Sequence, residues 1–116
     1  MGSDVRLKVL FYKTESEREP VREWLKSLSG EDKKLIGEDI KTVQFGFPLG
    51  MPLVRKLETG LWEIRSHLPN RIARVIFTIE DDFMVLLHGF VKKSQKTSLD
   101  DLEVARTRLA KLRGNL

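Results

Sequence analysis

The stretch LWEIRSHLPNRIARVIFTIEDDFMVLLHGFVKK, residues 61–93, contains the patterns that decide the fold. Residues 61–67 alternate apolar with charged or polar side chains, which is typical of a half-buried strand. The turn pair Pro69-Asn70 separates them from a second strand, predicted over residues 71–79. A third run, residues 83–91, is apolar at almost every position, as in a central strand. The stretch therefore predicts three consecutive antiparallel strands.

The first of these turns sets the register between neighbouring strands. A two-residue loop at Pro69-Asn70 places Arg65 directly opposite Arg74. It also pairs Trp62 with Phe77 and Ile64 with Val75 on the other face. Like charges placed opposite each other destabilise a sheet, so the two arginines predict an anionic partner, for which a phosphate is the natural choice.

The second turn has two possible lengths. A three-residue loop over residues 80–82 places His88 opposite Arg74, whereas a two-residue loop over residues 81–82 buries His88. We favour the longer loop. It puts Phe83, Val85 and Leu87 in the core, and it collects Arg65, Arg74, His88 and Phe90 on one polar face.

The flanking sequence predicts a second layer of helices. Residues 5–12 alternate as a first strand. Ser16-x-x-Glu19 resembles a capping box and Pro20 suits a first helical turn, so we expect a helix that begins between Ser16 and Pro20 and ends near residue 28. Ser29 is the N-cap of a second helix that ends at Gly46. Residues 47–52 are an irregular connector and residues 53–58 a short strand, and Ser98 caps an amphipathic C-terminal helix. The predicted class is α+β, in the order β-α-α-β-β-β-β-α: an antiparallel sheet packed against a helical hairpin, plus the C-terminal helix.

Composition limits the possible functions. A chain of 116 residues predicts one domain, residues 1–116, with a core that needs no staples. The absence of cysteine and the presence of only two histidines, without an acidic ligand cluster, predict neither a metal nor another cofactor. No apolar run approaches the ~20 residues of a membrane span, so we expect no membrane partner and a cytoplasmic location. A net charge of +4 favours a polyanionic partner only mildly.

Three motifs together resemble a known family. They are RKLETGLWEIR at residues 55–65, Arg71-Ile72, and LLHGFVKKSQKT at residues 86–97. They are similar to the HigB-type, phage-derived branch of the RelE/ParE toxin superfamily, although Ser98 stands where many relatives have proline. The resemblance implies a RelE-like toxin of a type II toxin–antitoxin pair. It also implies a ribosome-dependent mRNA endonuclease that inhibits translation, and an antitoxin that is often a helix-turn-helix DNA-binding protein.

The candidate site residues follow from the chemistry of metal-independent RNA cleavage. The neighbouring 2′-hydroxyl attacks phosphorus, so the enzyme must move protons and stabilise a phosphorane. Arg65 and Arg74 are the predicted clamp, with Arg71 as a third member. His88 is a candidate for proton transfer, and the general base stays open, because a lysine whose pKa is lowered by clustered cations would also serve: Lys56, Lys92, Lys93 or Lys96. The residues predicted to contact the substrate are Lys56, Arg71, Phe90, Lys92, Lys93 and Lys96.

Structural explanations of the same residues stay open. Arg65 could pair with Glu63, and a histidine in an apolar strand is often a hydrogen-bonded core residue. The same fold also carries non-catalytic proteins, since ParE-like relatives bind and inhibit DNA gyrase. That alternative needs no arginines at the centre of the sheet.

Overall fold

Five strands and three helices make up the described part of the chain, residues 7–92 and 96–114 of a computed structural model. The elements are β1 Lys8–Phe11, α1 Pro20–Lys26, α2 Gly30–Gly46, β2 Val54–Glu58, β3 Leu61–Leu68, β4 Arg71–Glu80, β5 Phe83–Lys92 and α3 Leu99–Leu112. The order β-α-α-β-β-β-β-α is confirmed. The predicted start of the first strand, at residues 5 and 6, and the candidate Lys93 lie outside the described residues.

The strands form one mixed sheet in the order β1-β5-β4-β3-β2. Neighbours from β2 to β5 are antiparallel, as predicted. The prediction of an antiparallel sheet is wrong at β1, which runs parallel to β5. Alternation of apolar residues reports the face on which a side chain lies and not the direction of the neighbouring strand, so the sequence pattern left this pairing undetermined.

The turn at Pro69-Asn70 is the predicted two-residue connection between β3 and β4. Asn70 has a φ of 62°, a left-handed conformation that asparagine tolerates better than most residues. The predicted pairs are all observed, including Arg65 opposite Arg74. The register of these two strands is confirmed.

The turn between β4 and β5 has two residues, Asp81-Asp82, because Glu80 pairs with Phe83. The favoured three-residue loop is therefore wrong. A bulge at Leu87 then shifts the register by one residue, so that His88 lies opposite Ile76. His88 consequently shares the face of the arginines, as predicted, although it is not directly opposite Arg74.

Both faces of the sheet are covered, each by its own apolar cluster. The α1–α2 hairpin packs on the face that carries Val75 and Phe77. Helix α3 packs on the opposite face through Ala105 and two partly buried leucines. The prediction that Phe83, Val85 and Leu87 share a core with Val75 and Phe77 is wrong, because the two-residue turn exchanges the faces of alternate residues. Met84 and Leu86 take those places under the hairpin, while Phe83, Val85 and Leu87 belong to the cluster under α3.

All three helices begin where the sequence signals place them, two of them with the predicted cap. Ser29 accepts a hydrogen bond from the backbone N–H of Asp32 at 3.2 Å, and Ser98 caps α3 in the same way. Helix α1 begins at Pro20, within the predicted interval, but the capping box that Ser16 and Glu19 resemble is not formed: Glu19 is the N-cap and makes no side-chain hydrogen bond. Ser16 lies instead in a turn before the helix, with its hydroxyl 3.1 Å from that of Thr14.

Gly89 is required where α1 crosses β5. A Cβ added there would lie 2.3 Å from Cε3 of Trp24, a rigid ring on the hairpin. We therefore expect Gly89→Ala to lower the free energy of unfolding by about 1–3 kcal/mol through overpacking. Gly37→Ala is the matched control, because nothing lies within 4 Å of a Cβ at that position in α2; it should stabilise by about 0.5–1 kcal/mol. Urea denaturation measures both, and equal effects would contradict the packing explanation.

Candidate functional site

The two arginines share one carboxylate on the α3 side of the sheet. Oε1 of Glu63 lies 3.9 Å from Nε of Arg65 and 4.0 Å from Nη1 of Arg74. Thr97, just before α3, donates its hydroxyl to Oε2 of Glu63 at 2.5 Å and accepts from Nη1 of Arg74 at 3.1 Å. The structural alternative that Arg65 pairs with Glu63 is therefore confirmed. The protein itself supplies the negative charge that the sequence led us to expect from a phosphate.

These side chains are buried. Glu63 and Arg74 have no exposed surface, and 6% of Arg65 is exposed. The expectation that both arginines stand on an open polar face is wrong, because α3 lies over that face. Burial lowers the pKa of Arg74 below its ordinary value and Glu63 partly restores it. The guanidinium stays charged, since an arginine does not lose its proton in proteins.

A second polar cluster joins β5 to the first turn of α3. Nε2 of His88 lies 2.8 Å from Oδ1 of Asp101. The other carboxylate oxygen accepts a hydrogen bond of 2.6 Å from Ser98 Oγ and lies 2.9 Å from Nζ of Lys92. Both oxygens of the Asp101 carboxylate thus have partners, which fixes its orientation toward the imidazole.

The charge state of this cluster follows from its surroundings. Burial disfavours the Asp101 carboxylate, but hydrogen bonds from Ser98, His88 and Lys92 prevail and lower its pKa to about 2. Burial lowers the pKa of His88 below its ordinary 6.5, and Asp101 offsets only part of that shift. At neutral pH a neutral imidazole therefore donates its Nε2 proton to a carboxylate. Nδ1 makes no hydrogen bond to any described residue, so it is left as a proton acceptor.

Phe90 links the two clusters. Its ring stacks on that of His88 with centroids 5.2 Å apart, and it lies opposite Arg74 in the sheet. Nζ of Lys92 is 5.5 Å from the centre of the same ring. The structure therefore brings together five of the predicted residues, which are Arg65, Arg74, His88, Phe90 and Lys92.

Two other candidates lie on the opposite face, under the hairpin. Nη2 of Arg71 is 2.5 Å from Oδ2 of Asp32 in α2, and Lys56 has its ammonium 5.9 Å from the ring centre of Trp62. The structure therefore does not bring Arg71 and Lys56 together with the arginine pair and His88, and their contact with a substrate stays a prediction. The reason is the face of the sheet on which each residue lies. Arg71 pairs with Leu68 and Lys56 pairs with Trp62, and both of these partners pack toward the hairpin.

Two exposed cations adjoin partners of the buried arginines in the sequence or the sheet. Lys96, a predicted contact, is exposed next to Thr97. Arg55 is exposed opposite Glu63 and is close enough to lower the pKa of Arg74, after the larger effects of burial, Glu63 and Arg65. The sequence analysis did not identify Arg55 as a site residue. The alternation of side chains along β2 could have identified it, because it places Arg55 on the same face as Glu63 of the neighbouring strand.

Asp101 is the other residue that sequence reasoning missed. It lies in the first turn of α3, where acidic residues commonly complement the helix dipole, so this position alone indicates no other role. The signal that could have identified it is its spacing of three from the N-cap Ser98, which points its carboxylate back over the start of the helix. The residues that the structure describes hold no group of three or more potential metal-ligating side chains. No described helix is long and apolar enough to span a membrane.

Glu63 is expected to be essential for stability because it compensates two buried cations. Glu63→Gln keeps the shape and removes the charge, so it should cost about 3–5 kcal/mol in the free energy of unfolding. Glu103→Gln is the control, since it removes an exposed partner of Arg106 and should cost less than about 1 kcal/mol. Equal midpoints for Glu63→Gln and wild type in urea would contradict the assignment.

Comparison with known proteins gives one result. Residues 23–110 match the model of the family described as phage derived protein Gp49-like. A search of curated proteins found no match. The matched segment runs from α1 to near the end of α3 and so contains both polar clusters. The chain belongs to the Gp49-like family of phage-derived proteins, a RelE-like family associated with toxin–antitoxin systems.

Proposed function

We propose that this protein is the toxin of a type II toxin–antitoxin pair and that it is a metal-independent endoribonuclease acting on mRNA at the ribosome. The observation that supports the activity is the neutral imidazole of His88, oriented by the Asp101 carboxylate and bordered by Lys92. Family membership supports the toxin role and an antitoxin as partner. We further propose a helix-turn-helix antitoxin and an HigB-like specificity.

The proposed reaction uses His88 as the base. Its Nδ1 takes the proton of the 2′-hydroxyl, the 2′-oxygen forms a bond to phosphorus, and the bond from phosphorus to the 5′-oxygen breaks. The leaving oxygen needs a proton. We assign its donor as the ammonium of Lys92, because that group contacts the same Asp101 carboxylate as His88. The products are a 2′,3′-cyclic phosphate and a 5′-hydroxyl.

The arginines act from below the surface in this proposal. Arg74 is completely buried, so its charge raises the local positive potential without touching a phosphate. Arg65 has a small exposed edge, and it is the member of the pair that can reach a phosphorane oxygen. Exposed Arg55 and Lys96 are suited to hold the flanking phosphates. The ring of Phe90 is a candidate stacking surface for a base.

One observation favours the alternative, a non-catalytic binder of DNA gyrase. Glu63 already supplies a carboxylate to both buried arginines, so their place in the sheet does not require a phosphate. In that case the Asp101–His88 pair would be a structural contact between α3 and β5. The two functions make different predictions for His88.

His88→Ala should abolish toxicity if the imidazole transfers a proton. We expect induction of wild type to arrest bacterial growth, whereas His88→Ala should permit growth because cleavage falls about 10²–10⁴-fold. His67→Ala is the control, since His67 is the other histidine and is exposed; it should arrest growth like wild type. Growth arrest by His88→Ala, with loss of DNA supercoiling, would favour the gyrase binder.

The pH dependence of cleavage tests Asp101 as the positioning residue for His88. The reaction needs neutral imidazole, and burial holds the pKa of His88 below 6.5, so the single-turnover rate should fall only as the pH drops below that value. Asp101 partly raises this pKa. Asp101→Asn should therefore move the acidic limb to lower pH and also reduce the plateau rate. A lower plateau with an unmoved limb would show that Asp101 has only a structural role.

A further inference from the structure

β1 is an edge strand whose outer side is unpaired among the described residues. The backbone N–H groups of Lys8 and Tyr12 donate to Asp82 and Leu86 at 2.8 and 3.0 Å, on the side of β5. Because alternate residues of a parallel strand bond to opposite sides, the N–H and C=O groups of Val9 and Phe11 point outward. No described strand pairs with them there. Such a row of backbone donors and acceptors is a template for another strand.

Two adjoining grooves border this edge. Their volumes are about 580 and 610 Å³, and both are lined by residues that follow β1. The first runs along α3 from Glu103 to Lys111, and the second meets the C-terminal end of α3. Leu10 is 45% exposed and Leu112 is 39% exposed in the second groove. The edge therefore offers apolar contact beside its free backbone groups. The second groove, which is lined by residues of β1, meets α3 at the end opposite Asp101.

The charges of the grooves favour an acidic occupant. Arg22 pairs with Glu19, and Glu103 pairs with Arg106 outside the groove. Lys13 and Lys111 form no ion pair with any described residue. Among the described groove residues, Glu15 is the single carboxylate without an ion pair. The groove side chains that form no ion pair therefore carry a net positive charge. A partner that supplies carboxylates gains complementary contacts on this surface.

We propose that β1 receives an extended segment of the protein partner as a sixth strand, in which apolar side chains toward Leu10 and Leu112 accompany a carboxylate toward Lys111. The backbone pairing gives affinity, and the alternating side chains give specificity. This inference rests on the proposed function, which supplies the partner as an antitoxin. The position of β1 leaves His88 and the arginine cluster outside the contact.

Hydrogen exchange measured by NMR tests the strand addition. The probe is the co-expressed product of the reading frame beside the gene, bound to the full chain. The amides of Val9 and Phe11 should exchange at least about tenfold more slowly in the complex than in the free protein. The amides of Lys8 and Tyr12, already bonded to β5, serve as internal controls. Unchanged exchange at Val9 and Phe11 in the complex would overturn the proposal, as would protection that grows with the concentration of the free protein and so indicates a second copy.

Substitutions test the side chains of the same surface. Leu10→Asp and Lys111→Glu should each raise the Kd of the complex at least about tenfold. Leu35→Asp and Lys34→Glu are the matched controls on α2, because Leu35 is 41% exposed, close to the value for Leu10.

The outcomes separate this inference from the proposed function. Equal Kd values for the test and control variants would overturn strand addition while leaving the toxin assignment intact. A wild-type protein that forms no complex at all would overturn both. Lys111→Glu alters an exposed side chain on α3, so it remains informative if Leu10→Asp weakens the fold.

Discussion

A buried carboxylate between two arginines is the interaction on which the rest of the structure depends. Burying two guanidinium groups without compensation would cost several kcal/mol for each charge. Glu63 provides the compensating charge, and Thr97 joins it to Arg74 by hydrogen bonds from the segment that leads into α3. The cluster therefore does more than neutralise charge. It fixes the point at which the C-terminal helix begins on the sheet.

The position of α3 in turn creates the candidate catalytic pair. Ser98 caps the helix, and its first turn carries Asp101 to within 2.8 Å of His88. The same helix covers the arginines and removes water from around the imidazole, and this burial lowers the pKa of His88 below its ordinary value, which favours the neutral form. Stability and the proposed chemistry thus share one contact between α3 and the sheet. A substitution at Glu63 would affect the site through the fold.

Local patterns in the sequence predicted part of the fold, and packing between distant elements decided the rest. The Pro69-Asn70 turn sets the β3–β4 register, so the opposition of Arg65 and Arg74 follows from the spacing of residues around that turn. The bulge at Leu87 cannot be predicted in this way, because one extra residue in a run that is apolar throughout does not change the sequence pattern. Burial of the arginines and the pairing of His88 with Asp101 both require the docking of α3, and the amphipathic pattern of a helix does not state which face of the sheet it covers.

The chemistry of RNA ends tests the central claim most directly. Total RNA from cells expressing the wild-type protein should contain new fragments with 2′,3′-cyclic phosphate and 5′-hydroxyl ends, and these fragments should be absent when Arg65→Ala is expressed to the same level. In the proposed reaction, attack by the 2′-hydroxyl leaves the phosphate on the 3′ side, and Arg65 is proposed to stabilise the charge that develops on it. Intact RNA in arrested cells, or fragments with 5′-phosphate ends, would contradict the account.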